Sequence, residues 1–314
     1  MLDLRRMMLL CDLADLGTVA AVAEHRNITS SAVSQQLRVL EQETGAVLFR
    51  RDGRTLGLTP SGEILVEHVR RVMGAVDEAM SAVAASRGAV DGRLTIAGFE
   101  TSIPSLAAPL VRRLSRDEPN LHVRVIQEGP AAALRSLRRG EVDVALIFRF
   151  YFLADETGGG LVSRPLLQDP LVVLAPTHLH KRIGEQGLSA LAGEPWVTGP
   201  HGSVWAAALN LASESAGFVP QVTHRVPGAP NMCQFAATGV ASAIVPRLSV
   251  PTALEGLIVD GLDVGGRSVC AVHREGTQRN PAVSAVLRAL EAIVAERAAA
   301  LQAGSDGAGL RAAS

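Results

Sequence analysis

The side chains with the most to say about chemistry sit early in the chain. Ser34, Gln35 and Arg38 share one face of a segment whose other face carries Val33, Leu37 and Leu40 at helical spacing. A hydroxyl, an amide and a guanidinium on a helix that starts with small residues suit a nucleic-acid groove. They reach phosphates or base edges with no bulky body blocking entry. Downstream, Leu48-Phe49-Arg50-Arg51-Asp52-Gly53-Arg54 turns at Gly53 into Thr55-Leu56-Gly57-Leu58-Thr59, a short strand pair with arginines at its tip. Between Arg26 and Arg54 five arginines (Arg26, Arg38, Arg50, Arg51, Arg54) face three acids (Glu41, Glu43, Asp52). The stretch is locally basic inside a chain whose net charge is only -1.

The elements that must hold these groups are short helices. Leu4, Met7, Leu10, Leu13 and Ala14 recur at helical spacing up to Gly17, and Thr18 then caps a second, alanine-rich helix. The hydroxyls of Ile28-Thr29-Ser30-Ser31 start the third, which carries Gln35 and Arg38. Periodicity alone fits a plain three-helix bundle with a solvated arginine face equally well.

The wording of the motif goes further. "LGTVAAVAE" followed by "ITSSAVSQQLRVLEQETGAVLFRRDGRTLGLTPSGEIL" resembles, almost without a break from residue 4 to 65, the N-terminal winged helix-turn-helix of LysR-type transcriptional regulators. The resemblance implies a recognition helix over residues 31–43 and a DNA-facing set of Thr18, Thr29, Ser30, Ser31, Ser34, Gln35 and Arg38. It also implies that Arg50, Arg51, Arg54 and Thr59 hold the backbone from the wing side. The chain departs from the family at Ser30, where proline or glutamine is common, and at Arg26, where an apolar residue usually packs the second helix. Arg26 reads as a packing defect or as an extra phosphate contact.

From Pro60 to about residue 87 no further proline interrupts the chain, and Leu65, Val69, Val72, Val76, Ala79 and Val83 form a heptad seam. The seam predicts a linker helix paired with its mate in a dimer, or lying on the second domain as a lone amphipathic helix. The family resemblance favours the dimer, two-fold on a partly palindromic site, with a tetramer as the further option. The implied partners are double-stranded promoter DNA, a second copy of the chain, a small-molecule effector and RNA polymerase.

After Asp91-Gly92 strands alternate with helices in a βαβαβ pattern, the signature of a parallel sheet covered by helices. The stretch from Leu134 to Ala145 is similar, more loosely, to the regulatory domain of the same family, with its two lobes like a periplasmic binding protein. The predicted fold class is α/β with an all-α winged helix-turn-helix at the N-terminus. The predicted domains are 1–60 (DNA-binding), 61–90 (linker helix), 91–303 (effector-binding) and 304–314 (disordered tail). Lobe I covers 91–161 and 265–303, and lobe II covers 162–264. Within this frame, residues 151–160 read as a lobe-crossing loop or a lid.

Ligands of open α/β sheets bind outside the carboxyl ends of the strands. That rule selects Phe99, Thr101 and Ser102 after the first strand, and Phe148 and Arg149 at the end of the third. From the second lobe it selects Thr198, Gly199, His201, Ser203 and Asn231. Hydroxyls at helix starts favour an anion, and family members often sense carboxylates there. Gly129-Pro130-Ala131-Ala132 lacks the hydroxyl that a carboxylate sensor would offer. Arg149 is placed equally well to neutralise an acid or to pair with Glu100 or Asp155, and His201 equally well to be a solvated loop residue.

The 314 residues are 47% hydrophobic, enough for about two folded units. Cys11, Cys233 and Cys270 are isolated, which supports neither a disulfide framework nor a cysteine zinc site and fits a reducing compartment. With no signal segment read at the N-terminus and no apolar run of membrane-spanning length, the expectation is a cytoplasmic protein. No Gly-x-Ser-x-Gly, His-Glu-x-x-His or Gly-x-Gly-x-x-Gly motif occurs, so neither an enzyme nor a metal or other cofactor is expected. The competing reading is an α/β small-molecule-binding protein or enzyme whose helical N-terminus only drives oligomerisation.

Overall fold

The structure is a computed structural model that describes residues 3–52, 55–86, 88, 90–153 and 159–311. Its first three helices are each fixed by a side-chain cap. Asp3 accepts from the Arg5 N–H (2.8 Å) to start α1 (Leu4–Leu16). The Thr18 hydroxyl accepts from Ala21 N–H (3.2 Å) to start α2 (Val19–Arg26), and that of Thr29 from Ala32 N–H (3.2 Å) to start α3 (Ser30–Thr44). Leu10, Leu13, Val22, Val33, Leu37 and Leu40 close a common core between them. The wing is an antiparallel pair, β1 (Phe49–Asp52) with β2 (Thr55–Leu58). Glu41 ties it to α3, its Oε1 accepting from Leu48 N–H (2.8 Å).

The linker helix α4 (Pro60–Ser86) begins with proline in its first turn, where a missing N–H costs nothing. Its 27 residues make a rod of about 40 Å. Two of the six predicted seam residues do not face outward: Val69 is buried, and Leu65 packs on the winged-helix core. The exposed apolar stripe instead runs through Ile64, Val72, Val76, Met80 and Val83, joined by the exposed Ala79. The first turns of α4 are claimed by their own protomer, so the stripe shifts by one residue there.

The second half of the chain is one continuous mixed sheet in the order β4-β3-β5-β11-β6-β9-β7-β8, with β10 also against β6. In lobe I, β3 (Gly92–Gly98), β4 (Leu121–Gln127) and β5 (Val144–Phe150) run parallel. They are joined by α5 (Ala108–Asp117), which a π-helical turn at Ile103–Ala107 introduces, and by α6 (Pro130–Arg138). Strand β6 (Leu161–Leu174) crosses into lobe II. Lobe II adds α7 (His180–Gln186), β7 (Pro195–Thr198), α8 (Val204–Ser215), β8 (Gln221–Arg225), α9 (Ala229–Ala237), β9 (Ser242–Pro246) and β10 (Ile258–Val259). Strand β11 (Gly266–Arg274) returns to lobe I antiparallel between β5 and β6, so the sheet is not wholly parallel as the βαβαβ pattern implied.

The last helix, α10 (Pro281–Arg311), continues through the stretch from Gly304 that composition marked as a disordered tail. With no proline after Pro281 nothing removes a helical N–H, and glycine only weakens the ladder by about 1 kcal/mol each. Of the expected loop or lid, residues 154–158 lie outside the described residues.

The linker also rests on the regulatory half of its own chain. Arg274 Nε pairs with Asp77 (2.8 Å), and Gly276 sits flush against Gly74 and Glu78 of α4. A β-carbon on Gly276 would collide with the Gly74 carbonyl and lie 2.7 Å from Glu78 N, at a φ of +87° that side chains avoid. Gly276→Ala is therefore expected to lower the melting temperature by roughly 4 °C or more. Gly74→Ala, whose β-carbon meets nothing closer than 3.4 Å, should stay within about 1 kcal/mol of the parent. Thermal unfolding of the two variants checks the difference.

Candidate functional site

On α3 the structure presents Ser30, Ser31, Gln35 and Arg38 to solvent, with Ser34 half-buried beside them. Gln35 and Arg38 lie three residues apart and so project from the same helical face, opposite Val33, Leu37 and Leu40. The Thr29 and Ser31 hydroxyls bond each other (2.9 Å) at the helix start. Arg50 is exposed on the wing, whereas Arg54 and the side chain of Arg51 lie outside the described residues.

Three residues read as DNA-facing carry a capping duty. Thr18 and Thr29 cap α2 and α3, and Thr59 caps α4 by accepting from Gly62 N–H (3.1 Å) while donating to the Val47 carbonyl (2.7 Å). The Thr59 hydroxyl thus spends its one proton inside the protein. The Arg26 Nε donates to the buried Asp12 carboxylate (2.6 Å) across α1 and α2. An apolar residue there would leave Asp12 uncompensated, which explains the departure at this position.

The second site lies between the lobes, where the carboxyl ends of β3, β4 and β5 face the starts of α8 and α9. A cavity of about 770 Å³ elsewhere lies at the seam of α1, α4 and α6, and four of the guanidinium groups that line it are paired with acids, Arg26 with Asp12, Arg70 with Asp15, Arg139 with Glu141 and Arg274 with Asp77. The inter-lobe cleft holds about 610 Å³ and is lined by Phe99, Glu100, Thr101, Gln127, Glu128, Phe148, Trp205 and Arg267 among others. Arg267, 1% exposed, is its floor.

The Arg267 Nε donates to Asp169 Oδ2 (2.8 Å) and Nη2 to Thr101 Oγ1 (2.8 Å). The rings of Phe148, Phe99 and Trp205 surround the guanidinium at 4.5, 5.0 and 5.9 Å. Burial pushes the Asp169 carboxyl up and the Arg267 guanidinium down from their ordinary ranges, and their mutual attraction opposes both shifts.

Of the effector residues read from the sequence, the structure brings Phe99, Thr101 and Phe148 into this cleft. The others fall outside its lining. Ser102 is buried and donates to the Phe99 carbonyl (2.7 Å). Arg149 lies one residue along β5 from Phe148, so it points to the opposite face of the sheet, with Nη2 3.8 Å from Cys270 Sγ. Thr198 is buried and Gly199 accepts from Arg225 Nη1 (3.2 Å), while Ser203 caps α8. His201 is exposed, and Asn231, also exposed, donates to the Pro227 carbonyl (2.6 Å).

Sequence reasoning missed Arg267, Gln127, Glu128 and Trp205. Arg267 opens a strand remote in sequence, and only the register that sets it opposite both Phe150 and Asp169 reveals it. Gln127 and Glu128 were within reach of the same strand-end rule, since they close β4.

The thiols offer little chemistry. Burial pushes Cys11 up to about 12 and Cys233 up to about 11, so both stay protonated near neutrality, and Cys270 is buried. Among the described residues no helix is long and apolar enough to cross a membrane.

Winged helix-turn-helix, linker helix and two-lobed α/β domain together define a class, and comparison with known proteins places the chain in it. Residues 4–63 match the family described as bacterial regulatory helix-turn-helix protein, lysR family, and residues 87–294 match the LysR substrate binding domain. The chain belongs to the LysR family of DNA-binding transcriptional regulators. It is 28% identical over 250 residues to the HTH-type transcriptional regulator ClcR of Pseudomonas putida, covering 78% of this chain and 83% of that protein. It is 33% identical over 173 residues to a probable hydrogen peroxide-inducible genes activator of Mycobacterium xenopi, covering 52% of this chain and 89% of that one. Its fold is like that of ArgP from Mycobacterium tuberculosis, with a TM-score of 0.60 at 22% identity over 94% of this chain and 98% of that one.

The Arg267 and Asp169 charges are both 1% exposed, so removing one strands the other. Asp169→Ala is expected to destabilise the regulatory domain by about 3–5 kcal/mol, and Arg267→Met with Asp169→Leu to recover most of that loss. Urea unfolding followed by tryptophan emission reads both.

Proposed function

We propose that the protein binds promoter DNA as a dimer through the exposed face of α3 and the wing, and that a small molecule in the inter-lobe cleft modulates this binding. The observation that carries the reading is the division of α3. Val33, Leu37 and Leu40 are buried, while Ser31, Gln35 and Arg38 are exposed on the opposite face. The roles assigned are base readout for Gln35 and Arg38, helix-start contacts for Thr18, Thr29, Ser30, Ser31 and Ser34, and phosphate contact for Arg50.

The dimer rests on the exposed stripe of α4. Val72, Val76, Met80 and Val83 expose large apolar groups at three- and four-residue steps along a rod, which a matching stripe on a second copy buries. The effector works by preferring one arrangement of the lobes over another, and it shifts the equilibrium only by that difference in affinity. The peroxide response named for the Mycobacterium xenopi relative draws no support from Cys11 or Cys233, whose thiols are held protonated.

Fluorescence anisotropy on the DNA upstream of the coding sequence, against scrambled DNA across a salt series, tests the reading. Gln35→Ala and Arg38→Ala should each cost about 1–3 kcal/mol of selectivity with the fold intact. Arg50→Ala should weaken binding to all sequences alike and reduce the salt slope by about 1. Equal affinity of the parent for both DNAs, with no change in the variants, would contradict it. For the dimer, Val76→Glu with Val83→Glu should give a monomer by light scattering without loss of helicity, and an unchanged mass would place the interface elsewhere.

A further inference from the structure

The cavity at the seam of α1, α4 and α6 lies where three parts of the chain meet. Arg26 enters its wall from the winged helix, Arg70 from the linker, and Arg138, Arg139 and Arg274 from lobe I. These five arginines share the wall with three aspartates.

Their acids use only part of what the arginines offer. A guanidinium carries five N–H donors. Arg26 gives only its Nε, to Asp12, and Arg70 only its Nη2, to Asp15 (2.7 Å). Arg139 gives Nε and Nη2 to Glu141, which stands outside the wall. Among the described residues the two η nitrogens of Arg26, and Nη1 of Arg70 and of Arg139, make no hydrogen bond, and none of these four atoms is sealed from solvent. Burial, and after it the neighbouring Arg70 charge, push the Arg138 guanidinium below its ordinary range, with Asp15 opposing. Cations are thus crowded at this seam. Arg26 is also a position at which the chain departs from its family, and Asp12 accounts for only one of its donors.

We propose that this cavity binds a small oxyanion of the phosphate type, held by the η nitrogens of Arg26, Arg70 and Arg139. Forked donors arriving from three elements suit a head that carries several oxygens, and about 770 Å³ takes a phosphate monoester as well as phosphate itself. The site joins the two halves of the chain. Arg26 and Arg70 belong to the winged helix and its linker, while Arg139 follows α6, whose first residue, Pro130, lines the inter-lobe cleft. A bound anion stabilises the arrangement in which the DNA-reading head rests on lobe I, to the extent that it prefers that arrangement. The site is separate from the inter-lobe cleft and does not depend on what the cleft binds.

Calorimetric titration of the full chain with inorganic phosphate and with glycerol 3-phosphate, at ionic strength matched with sodium chloride, reads the site. Saturable binding is expected, and the tighter of the two probes tells free phosphate from a monoester as the source. Arg139→Gln, whose acid partner is partly exposed, should raise the midpoint about tenfold or more. Replacing Arg26 alone would strand the buried Asp12, so the second variant is Arg26→Met with Asp12→Leu, and it should weaken binding to a similar degree. Melting temperatures check the fold of both. Arg38→Ala and Arg50→Ala, on the DNA-facing surface, should leave the midpoint where it is. Absence of saturable binding by either probe, or midpoints unchanged in both seam variants, would overturn the proposal. Binding lost in the Arg38 and Arg50 variants but kept in Arg139→Gln would also overturn it, by placing the anion on the DNA-facing surface.

Discussion

The buried pair of Arg267 and Asp169 organises the regulatory half of the molecule. Arg267 sits where β11 re-enters lobe I, Asp169 where β6 is about to leave it, and the two strands are in register at that point. Asp169 also accepts from Leu248 N–H (2.9 Å), at the lobe II end of the crossing, and Arg267 reaches Thr101 after β3. One ion pair therefore joins both crossing strands, the first helix start of lobe I and the segment after β9. A pair so deeply buried adds little net stability over an apolar replacement. Its value lies in position, since a charge that must be matched fixes which residues meet at the junction of the lobes.

The cleft follows from that constraint. With Arg267 as floor and Phe99, Phe148 and Trp205 packed about it, the walls are left to residues that close β3 and β4, and these are glutamates and a glutamine. A similar economy shapes the DNA-binding half. Arg26 Nε is held by Asp12 and the Thr59 hydroxyl donates to the Val47 carbonyl, which leaves the exposed side chains of α3, Ser30, Ser31, Gln35 and Arg38, and of the wing to face outward. The linker connects the halves physically: α4 shares a core with α1 and α3 at one end and meets Arg274 and Gly276 at the other.

Much of the first half was legible in the sequence because its signals are local. Caps at Thr18 and Thr29, the apolar spacing of Val33, Leu37 and Leu40, and the antiparallel strands of the wing are each read within a few residues. The cleft was legible only where the strand-end rule applies, at Phe99, Thr101 and Phe148. Arg149 shows the limit: a strand end names two neighbours, but only the pleat decides which one faces the cleft, and Phe148 does. The Ser203 hydroxyl is used as the cap of α8 and the buried Thr198 lies outside the lining of the cleft. Arg267 and Asp169 carried no local signal, since their pairing depends on the register of two strands far apart in the chain. On α4 the seam positions Val72, Val76, Ala79 and Val83 are exposed, whereas Leu65 and Val69 are not, because the winged helix claims that face.

Everything proposed for the first half turns on the exposed face of α3 reading DNA sequence from a two-fold assembly. Selection of genomic fragments bound by the full chain, followed by footprinting of the enriched fragments, tests it most directly. The expected result is an enriched motif of two half-sites related by a two-fold axis and spaced by whole helical turns, about 10 base pairs each, with protection lost when Gln35 and Arg38 are both replaced by alanine. Enrichment of a motif without two-fold symmetry, or the same motif enriched by the doubly substituted protein, would contradict it.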